Sequence, residues 1–227
     1  MIVDETRAVT LVGGGPLEPD DLALALALAP VAVALDKGAD ACLAAGITPR
    51  AVIGDLDSLS DRSRAAFADR LHHVDEQVTT DFDKGMRHVA APLVIGAGLM
   101  AGRMDHTLAA LSTLMRHADR PCLLLGPQSL VFHCPPRLTL DLPGGMPVSL
   151  YPLAPGRVES RGLVWPTGGL LFEAGGRLGT SNAATGGAAV LAPGGRGMLV
   201  ILPRAALAVA AGALGAAPCW PPVPRGG

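Results

Sequence analysis

A chain of 227 residues is long enough to bury a substantial core, as one large domain or two small ones. It carries 18 basic and 20 acidic side chains, a net charge of −2, and shows no basic stripe, so nucleic acid is not the expected partner. The mean hydropathy is high at +0.39. Yet the apolar run Leu22 to Leu35 holds Pro30 and falls short of the ~20 residues that cross a bilayer. The uncharged stretch Ala205 to Pro224 is broken by Gly212, Gly215 and four prolines. Met1 to Glu5 lacks the basic start and apolar core of a signal peptide, and a cytoplasmic location is expected. Cys42, Cys122, Cys134 and Cys219 form no metal-binding pair, which suits a reducing compartment without a zinc site.

In chain order, Ala8 to Val12 reads as a strand followed by the turn Gly13-Gly14-Gly15. Asp20 to Ala29 reads as a helix with Pro19 near its start. Val31 to Leu35 is a strand, Ala39 to Ala45 a short helix closed by Gly46, and Ala51 to Ile53 a third strand. Ser60 caps a helix expected to reach about Arg70. A short strand follows near His73-Val74, and Thr80 caps a helix expected over Asp81 to Ala90. Leu93 to Ile95 is a strand, Asp105 opens a helix to about His117, and Cys122 to Leu125 is a strand. This alternation predicts a parallel α/β sheet with helices on both faces.

From about Pro127 helical periodicity fades and Gly and Pro become dense. The runs 137–142, 148–151, 169–172 and 198–202 predict an antiparallel β-sandwich or barrel, and Ala205 to Leu214 a short helix or a tail. The expected organisation is an α/β domain over residues 1–126 and a β domain over 127–227.

The most informative segment is Val52-Ile53-Gly54-Asp55-Leu56-Asp57-Ser58. In extended chain, carboxylates at i and i+2 point to the same side. Two converging carboxylates repel unless a cation joins them, and oxygen ligands beside phosphates suit Mg²⁺. Ligands of an open parallel sheet bind beyond the carboxyl ends of its strands. Asp36, the Asp55/Asp57 pair, Asp81 with Lys84, and Arg103 with Asp105 all follow strands, so the fold should gather them along one edge. Both lysines of the chain, Lys37 and Lys84, fall in these acidic segments. Each segment alone also reads as an ordinary turn or helix cap; their coincidence at strand ends favours a site. An EF-hand fails, because Leu59 and Ser60 stand where a third oxygen ligand and glycine belong. A haloacid-dehalogenase-type motif lacks its Thr or Val and would sit on the wrong strand.

The order and spacing of these segments resemble the bacterial thiamine pyrophosphokinase family. Gly46 to Ser58 resembles its central signature, Gln77 to Lys84 its second acidic motif, and Gly102 to Leu108 its third. Gly162 to Pro166, Thr180-Ser181-Asn182 and Gly197 to Ile201 resemble its closing motifs. Lys37 before Gly38 and Ala101 before Gly102 depart from glycines the family often has there.

The resemblance implies an α/β nucleotide- and metal-binding domain followed by a β-sandwich that binds thiamine and dimerises. It implies transfer of pyrophosphate from ATP to the thiamine hydroxyl, releasing AMP, in a homodimer with sites between subunits. Asp55, Asp57 and Asp81 would hold Mg²⁺. Catalytic roles would fall to these three with Arg103 and Asp105; the base, Asp81 or Asp105, stays open. Asp36, Ser58, Lys84, Arg103 and His106 would contact ATP. Gln77, Thr80, Trp165, Ser181 and Asn182 would contact thiamine, Trp165 by stacking and cation–π attraction. The alternatives are a pyrophosphokinase acting on a hydroxymethylpterin and a non-catalytic nucleotide- or vitamin-binding protein.

Overall fold

A computed structural model describes residues 1–76 and 78–222. The chain divides into two compact units, Met1–Thr113 with Leu124–Pro127, and Leu114–Leu123 with the chain from Gln128 onward.

The first unit is built from β1 (Val3–Asp4), β2 (Val9–Val12), α1 (Asp21–Leu28), β3 (Val31–Leu35), α2 (Gly38–Ala44), β4 (Val52–Gly54), α3 (Asp61–Ala66), β5 (Leu71–His73), α4 (Asp81–His88), β6 (Val89–Ala90), β7 (Val94–Ala97) and most of α5 (Met104–Arg116). The division between units falls inside α5 and inside β8 (Cys122–Leu125). The strands β7-β2-β3-β4-β5 lie side by side in that order, all parallel. β2, β3, β4 and β7 are buried along their whole length, which explains their unbroken apolar sequences. Both faces are covered. Val12, Ala34 and Val52 pack with Ala39, Cys42, Leu56, Leu59 and Phe67 from the α2–α3 side. Their neighbours Leu11 and Leu35 point the other way, toward Gly85 of α4. A methyl group at Gly85 would lie 2.7 Å from Leu35 Cδ2, so glycine lets α4 approach the sheet.

Ser60 and Thr80 cap α3 and α4 as their positions indicate, accepting from the amides of Ser63 and Asp83. Two helices end earlier than expected. The helix after Ser60 stops at Ala66, and a separate 3-10 turn spans Ala68–Arg70. The helix after Thr80 stops at His88, because Val89–Ala90 pairs in parallel with Val3–Asp4. That pairing takes backbone groups that a longer helix would have used, and no local pattern announces it.

The second unit holds β9 (Ser129–His133), β10 (Leu138–Leu142), β11 (Pro147–Pro152), β12 (Gly156–Arg161), β13 (Leu171–Phe172), β14 (Gly179–Ala183), β15 (Gly187–Pro193), β16 (Met198–Pro203) and α6 (Leu207–Ala216). Its strands form two antiparallel arrays, β14-β11-β16-β9 and β10-β15-β12-β13. Burial alternates along β10 and β11, the mark of strands with one covered face. α6 packs on β10. The strands β9, β12 and β15 were not marked by the apolar runs of the sequence; Ala188, Ala189 and Ala192 in β15 carry little hydrophobic signal.

Candidate active site

Strand order reverses at β2: β3 lies on one side of it and β7, much later in the chain, on the other. Connections leave the two strands in opposite directions there, and a crevice opens beyond their carboxyl ends. A cavity of about 580 Å³ occupies this place. Its walls include Gly13, Gly14, Gly15 and Pro16 after β2, Asp36 and Lys37 after β3, Asp55 and Ser58 after β4, Thr79 to Phe82 and Lys84 around the start of α4, and Gly98, Leu99, Ala101 to Arg103 and His106 after β7. Gly98 has φ +70° and Gly102 φ +91°, and Gly15 N–H donates to Gly98 O at 2.9 Å, so the two glycine loops are stitched together.

Carboxylate oxygens of Asp36, Asp55 and Asp57 lie within 4.8 Å of one another. Their convergence has a different origin from the one expected. Leu56 is not extended but left-handed, φ +63°, and Asp57 N–H faces Asp55 Oδ1 at 3.4 Å. The pair sits on a tight turn. Leu56 is buried in the α2–α3 cluster, and its carbonyl accepts from Arg64 Nη2 at 2.6 Å. These contacts hold a backbone conformation that costs a non-glycine residue about 1–2 kcal/mol. Asp36 is also left-handed, φ +43°, and Gly54 makes room for it: a methyl group there would stand 2.9 Å from Asp36 Cβ.

Lys84 is 2% exposed, and its Nζ lies 3.1 Å from Asp55 Oδ2 and 3.2 Å from Asp81 Oδ1. Burial works against its charge, but the hydrogen bonds and charges of Asp55 and Asp81 outweigh burial and raise its pKa. Burial also opposes ionisation of Asp55, yet the Lys84 contact prevails and lowers its pKa. Asp81 is raised by burial and by the charges of Asp55 and Asp57, despite Lys84. Asp36 is raised by burial, then by the charges of Asp81 and Asp55. Asp36 Oδ1 is buried and has no hydrogen-bond partner among the described residues. An orphaned carboxylate oxygen facing two further carboxylates is a donor set that fits a hard divalent cation. The three converging groups are Asp36, Asp55 and Asp57, whereas the expected metal set held Asp81 in place of Asp36. Asp81 is instead bound to Lys84.

Arg103 and Asp105 form a two-point pair, Nε to Oδ1 at 3.1 Å and Nη2 to Oδ2 at 2.5 Å, on the exposed start of α5. Each raises the preference of the other for its charged form. Arg103 and His106 face the cavity. Ser58 Oγ donates to Asp57 Oδ1 at 2.9 Å. Thr80 lines the cavity while its hydroxyl caps α4. Gln77 lies outside the described residues.

In the second unit Trp165 is 60% exposed. Asn182 has another task than the expected ligand contact. Its Oδ1 accepts from Trp165 N–H at 3.1 Å and its Nδ2 donates to Trp165 O at 2.7 Å, so it clamps the backbone that presents the indole. Ser181 sits at φ +62° where β14 bulges against β11, and its N–H donates to Ser149 Oγ at 3.1 Å.

The glycine loop Gly13–Gly15 and Lys37 were not assigned to the site from sequence. Three glycines after the first long strand were the available signal, readable once strand order is known. Leu99 and Phe82 carried none.

Residues 22–124 match the family described as thiamin pyrophosphokinase, catalytic domain. This stretch is similar to the catalytic domain of the thiamin pyrophosphokinases. It runs from α1 into β8 and includes every acidic residue of the cavity. No curated protein matches the chain in sequence. Among solved structures, the thiamin pyrophosphokinase of Geobacillus thermodenitrificans is similar with a TM-score of 0.70 at 24% identity, over 86% of this chain and 96% of that one. That of Bacillus subtilis gives 0.71 at 21%, over 87% and 98%. The yeast enzyme gives 0.71 at 16%, over 88% and 87%. At such identities the likeness speaks for the fold: a mixed α/β core with a further antiparallel sheet. No helix among the described residues is long and apolar enough to cross a membrane.

Proposed function

We propose that this protein is a thiamine pyrophosphokinase, transferring pyrophosphate from ATP to the hydroxyl of thiamine, giving thiamine diphosphate and AMP, through the cavity beyond β2 and β7. The observation that carries the site assignment is the convergence of Asp36, Asp55 and Asp57 beside Lys84, next to two glycine loops. Phosphoryl transfer needs positioning and charge neutralisation more than covalent chemistry from the protein.

The thiamine hydroxyl oxygen bonds to the β-phosphorus of ATP, the α–β bridging bond breaks, and AMP leaves. Asp36, Asp55 and Asp57 would hold Mg²⁺, which when bound neutralises charge on the phosphate oxygens. Lys84 favours the ionised form of Asp55 and holds both Asp55 and Asp81 in place. Arg103, already aligned by Asp105, presents a planar fork to phosphate. The glycines of the Gly13–Gly15 turn and of the loop holding Gly98 and Gly102 carry no side chain at their positions, so the polyphosphate can approach their backbone closely. Ser58, His106 and Asp36 complete the nucleotide contacts. The hydroxyl proton passes to a carboxylate, Asp81 or Asp105.

We read the second unit as a β-sandwich that binds thiamine and dimerises. Trp165 stacks on the thiamine cation, with Ser181 supplying a polar contact and Asn182 holding Trp165 in place. A homodimer with shared sites follows from this reading.

Purified protein with Mg²⁺ and ATP, supplied with thiamine or a hydroxymethylpterin and scored for AMP, tests the proposal. Thiamine-dependent AMP release is expected. Release only with the pterin would reassign the substrate, and binding of ATP without AMP release from either would favour a non-catalytic binding protein.

A further inference from the structure

We propose that Glu76 and Arg87 are positioning residues that strap the loop before α4 to the helix and thereby hold Asp81 at the acidic site; the idea rests on the pyrophosphokinase reading. The described residues of the loop between β5 and α4 belong to no strand or helix. Glu76 supplies the order. Its Oε1 accepts the amides of Val78 at 2.5 Å and Thr79 at 2.8 Å, and its Oε2 accepts the Thr79 hydroxyl at 2.7 Å.

Arg87 ties this turn to α4. Its Nη2 donates to Glu76 Oε2 and to Thr79 Oγ1, the latter at 2.7 Å. Its Nε lies 3.0 Å from Asp83 Oδ2, an ion pair out of hydrogen-bond alignment, and Asp83 is 1% exposed. The Thr79 hydroxyl thus donates to one member of the pair and accepts from the other, using both of its capacities. One guanidinium reaches the loop, its threonine and the buried face of the helix, which a lysine could not do with a single ammonium.

The strap acts on residues it does not contain. Thr79, Thr80 and Asp81 line the cavity, while Glu76 and Arg87 do not. Asp81 faces the charges of Asp36, Asp55 and Asp57, which push it away. Lys84 attracts it, but from the same helix, one turn from Arg87. The loop on the other side of Asp81 is held at its end by the Thr80 cap, and Glu76 with Arg87 ties the turn before that cap to the helix. Neither residue belongs to a recognised catalytic set in the sequence, because their pairing joins a loop to a helix across 11 positions.

The test compares wild type, Arg87→Met, Arg87→Lys, Glu76→Gln and the double variant Glu76→Gln/Arg87→Met as full chains. Amide hydrogen exchange at Val78 and Thr79 and steady-state kinetics with Mg²⁺-ATP and thiamine are read on each. Arg87→Met and Glu76→Gln should each speed exchange at both amides at least tenfold while strand amides of β2 and β3 stay protected. Each should lower kcat roughly tenfold or more, with a smaller change in thiamine KM. The double variant should lose no more than the worse single one, and Arg87→Lys should recover part of kcat. Unchanged exchange at Val78 and Thr79, or kcat losses that multiply in the double variant, would overturn the strap. Faster exchange in every element would show a merely structural role and overturn it equally. A wild-type protein that releases no AMP with thiamine would instead defeat the functional reading, and the exchange data would still decide whether the strap holds the loop.

Discussion

Lys84 Nζ stands 3.1 Å from Asp55 Oδ2, 29 positions away along the chain, and the lysine is only 2% exposed. The contact joins the end of β4 to the first turn of α4, so two motifs distant in sequence share one buried cation. Lys84→Met leaves Asp55 and Asp81 without it. A stability loss of roughly 2 kcal/mol is expected, less than the ~3–5 kcal/mol of a fully buried broken pair because Asp81 is partly solvated. Turnover should fall far more than stability. Denaturant unfolding and AMP release on the same preparation separate the two effects; wild-type turnover would remove Lys84 from the site.

Asp36 contributes an orphaned buried oxygen to the acidic cluster. Asp36→Asn removes one of three converging charges. Without divalent cation the variant should equal or exceed wild type in thermal stability, since repulsion is relieved. With Mg²⁺ it should gain less, and the Mg²⁺ concentration for half-maximal turnover should rise on the order of tenfold. Thermal shifts with and without chelator, beside a Mg²⁺ titration of activity, read both; an unchanged Mg²⁺ requirement would place the ion elsewhere.

Trp165 exposes 60% of its surface, and Asn182 spends both side-chain groups on its backbone. Trp165→Ala should therefore change stability by less than about 1 kcal/mol. The thiamine KM should rise at least about tenfold while the ATP KM holds, as stacking with a cation is lost. Asn182→Ala should produce a smaller rise in the same constant by loosening the Trp165 segment. Equal effects on the two substrates would speak against stacking.

Acid should weaken the second unit before it affects the carboxylates of the first. His133 is buried, and Gly197 N–H donates to its Nε2 at 2.8 Å. Burial, helped by the Arg196 charge, pulls its pKa down to about 4. Below the ordinary value near 6.5 the unfolded chain takes a proton that the folded chain refuses. The neutral histidine's contribution is thus whole above about pH 6.5 and lost as pH falls toward 4, by about 3 kcal/mol in all. Glu76, held to about 2 by Thr79 and Arg87, acts the same way only below the ordinary carboxylate range. Unfolding curves of wild type and His133→Gln at pH 7, 6 and 5 should converge as pH falls; a constant gap would show that His133 is not the acid-sensitive group.

The carboxylate pair shows how far local reading reaches. Asp55 and Asp57 do converge, but not through the extended geometry that their spacing suggests, because Leu56 is left-handed. A left-handed leucine has no sequence mark, since it depends on the α2–α3 cluster and on Arg64. The caps at Ser60 and Thr80 were legible because a hydroxyl and the amide three residues on are set by local chain alone. The end of α4 at His88 was not, because the partner strand lies at Val3–Asp4.

By itself the sequence determined the alternation of buried strands and helices, the caps that start α3 and α4, and the chemical character of the site: carboxylates, a lysine and an arginine after successive strands. These depend on periodicity, side-chain chemistry and short-range hydrogen bonds. Tertiary structure decided which carboxylates meet. It put Asp36 with Asp55 and Asp57, gave Asp81 to Lys84, turned Asn182 toward the Trp165 backbone, and made the glycine loop after β2 a wall of the cavity. The reason is the order of strands in the sheet: which loops become neighbours is set by lateral pairing between distant segments, and no residue carries that information alone.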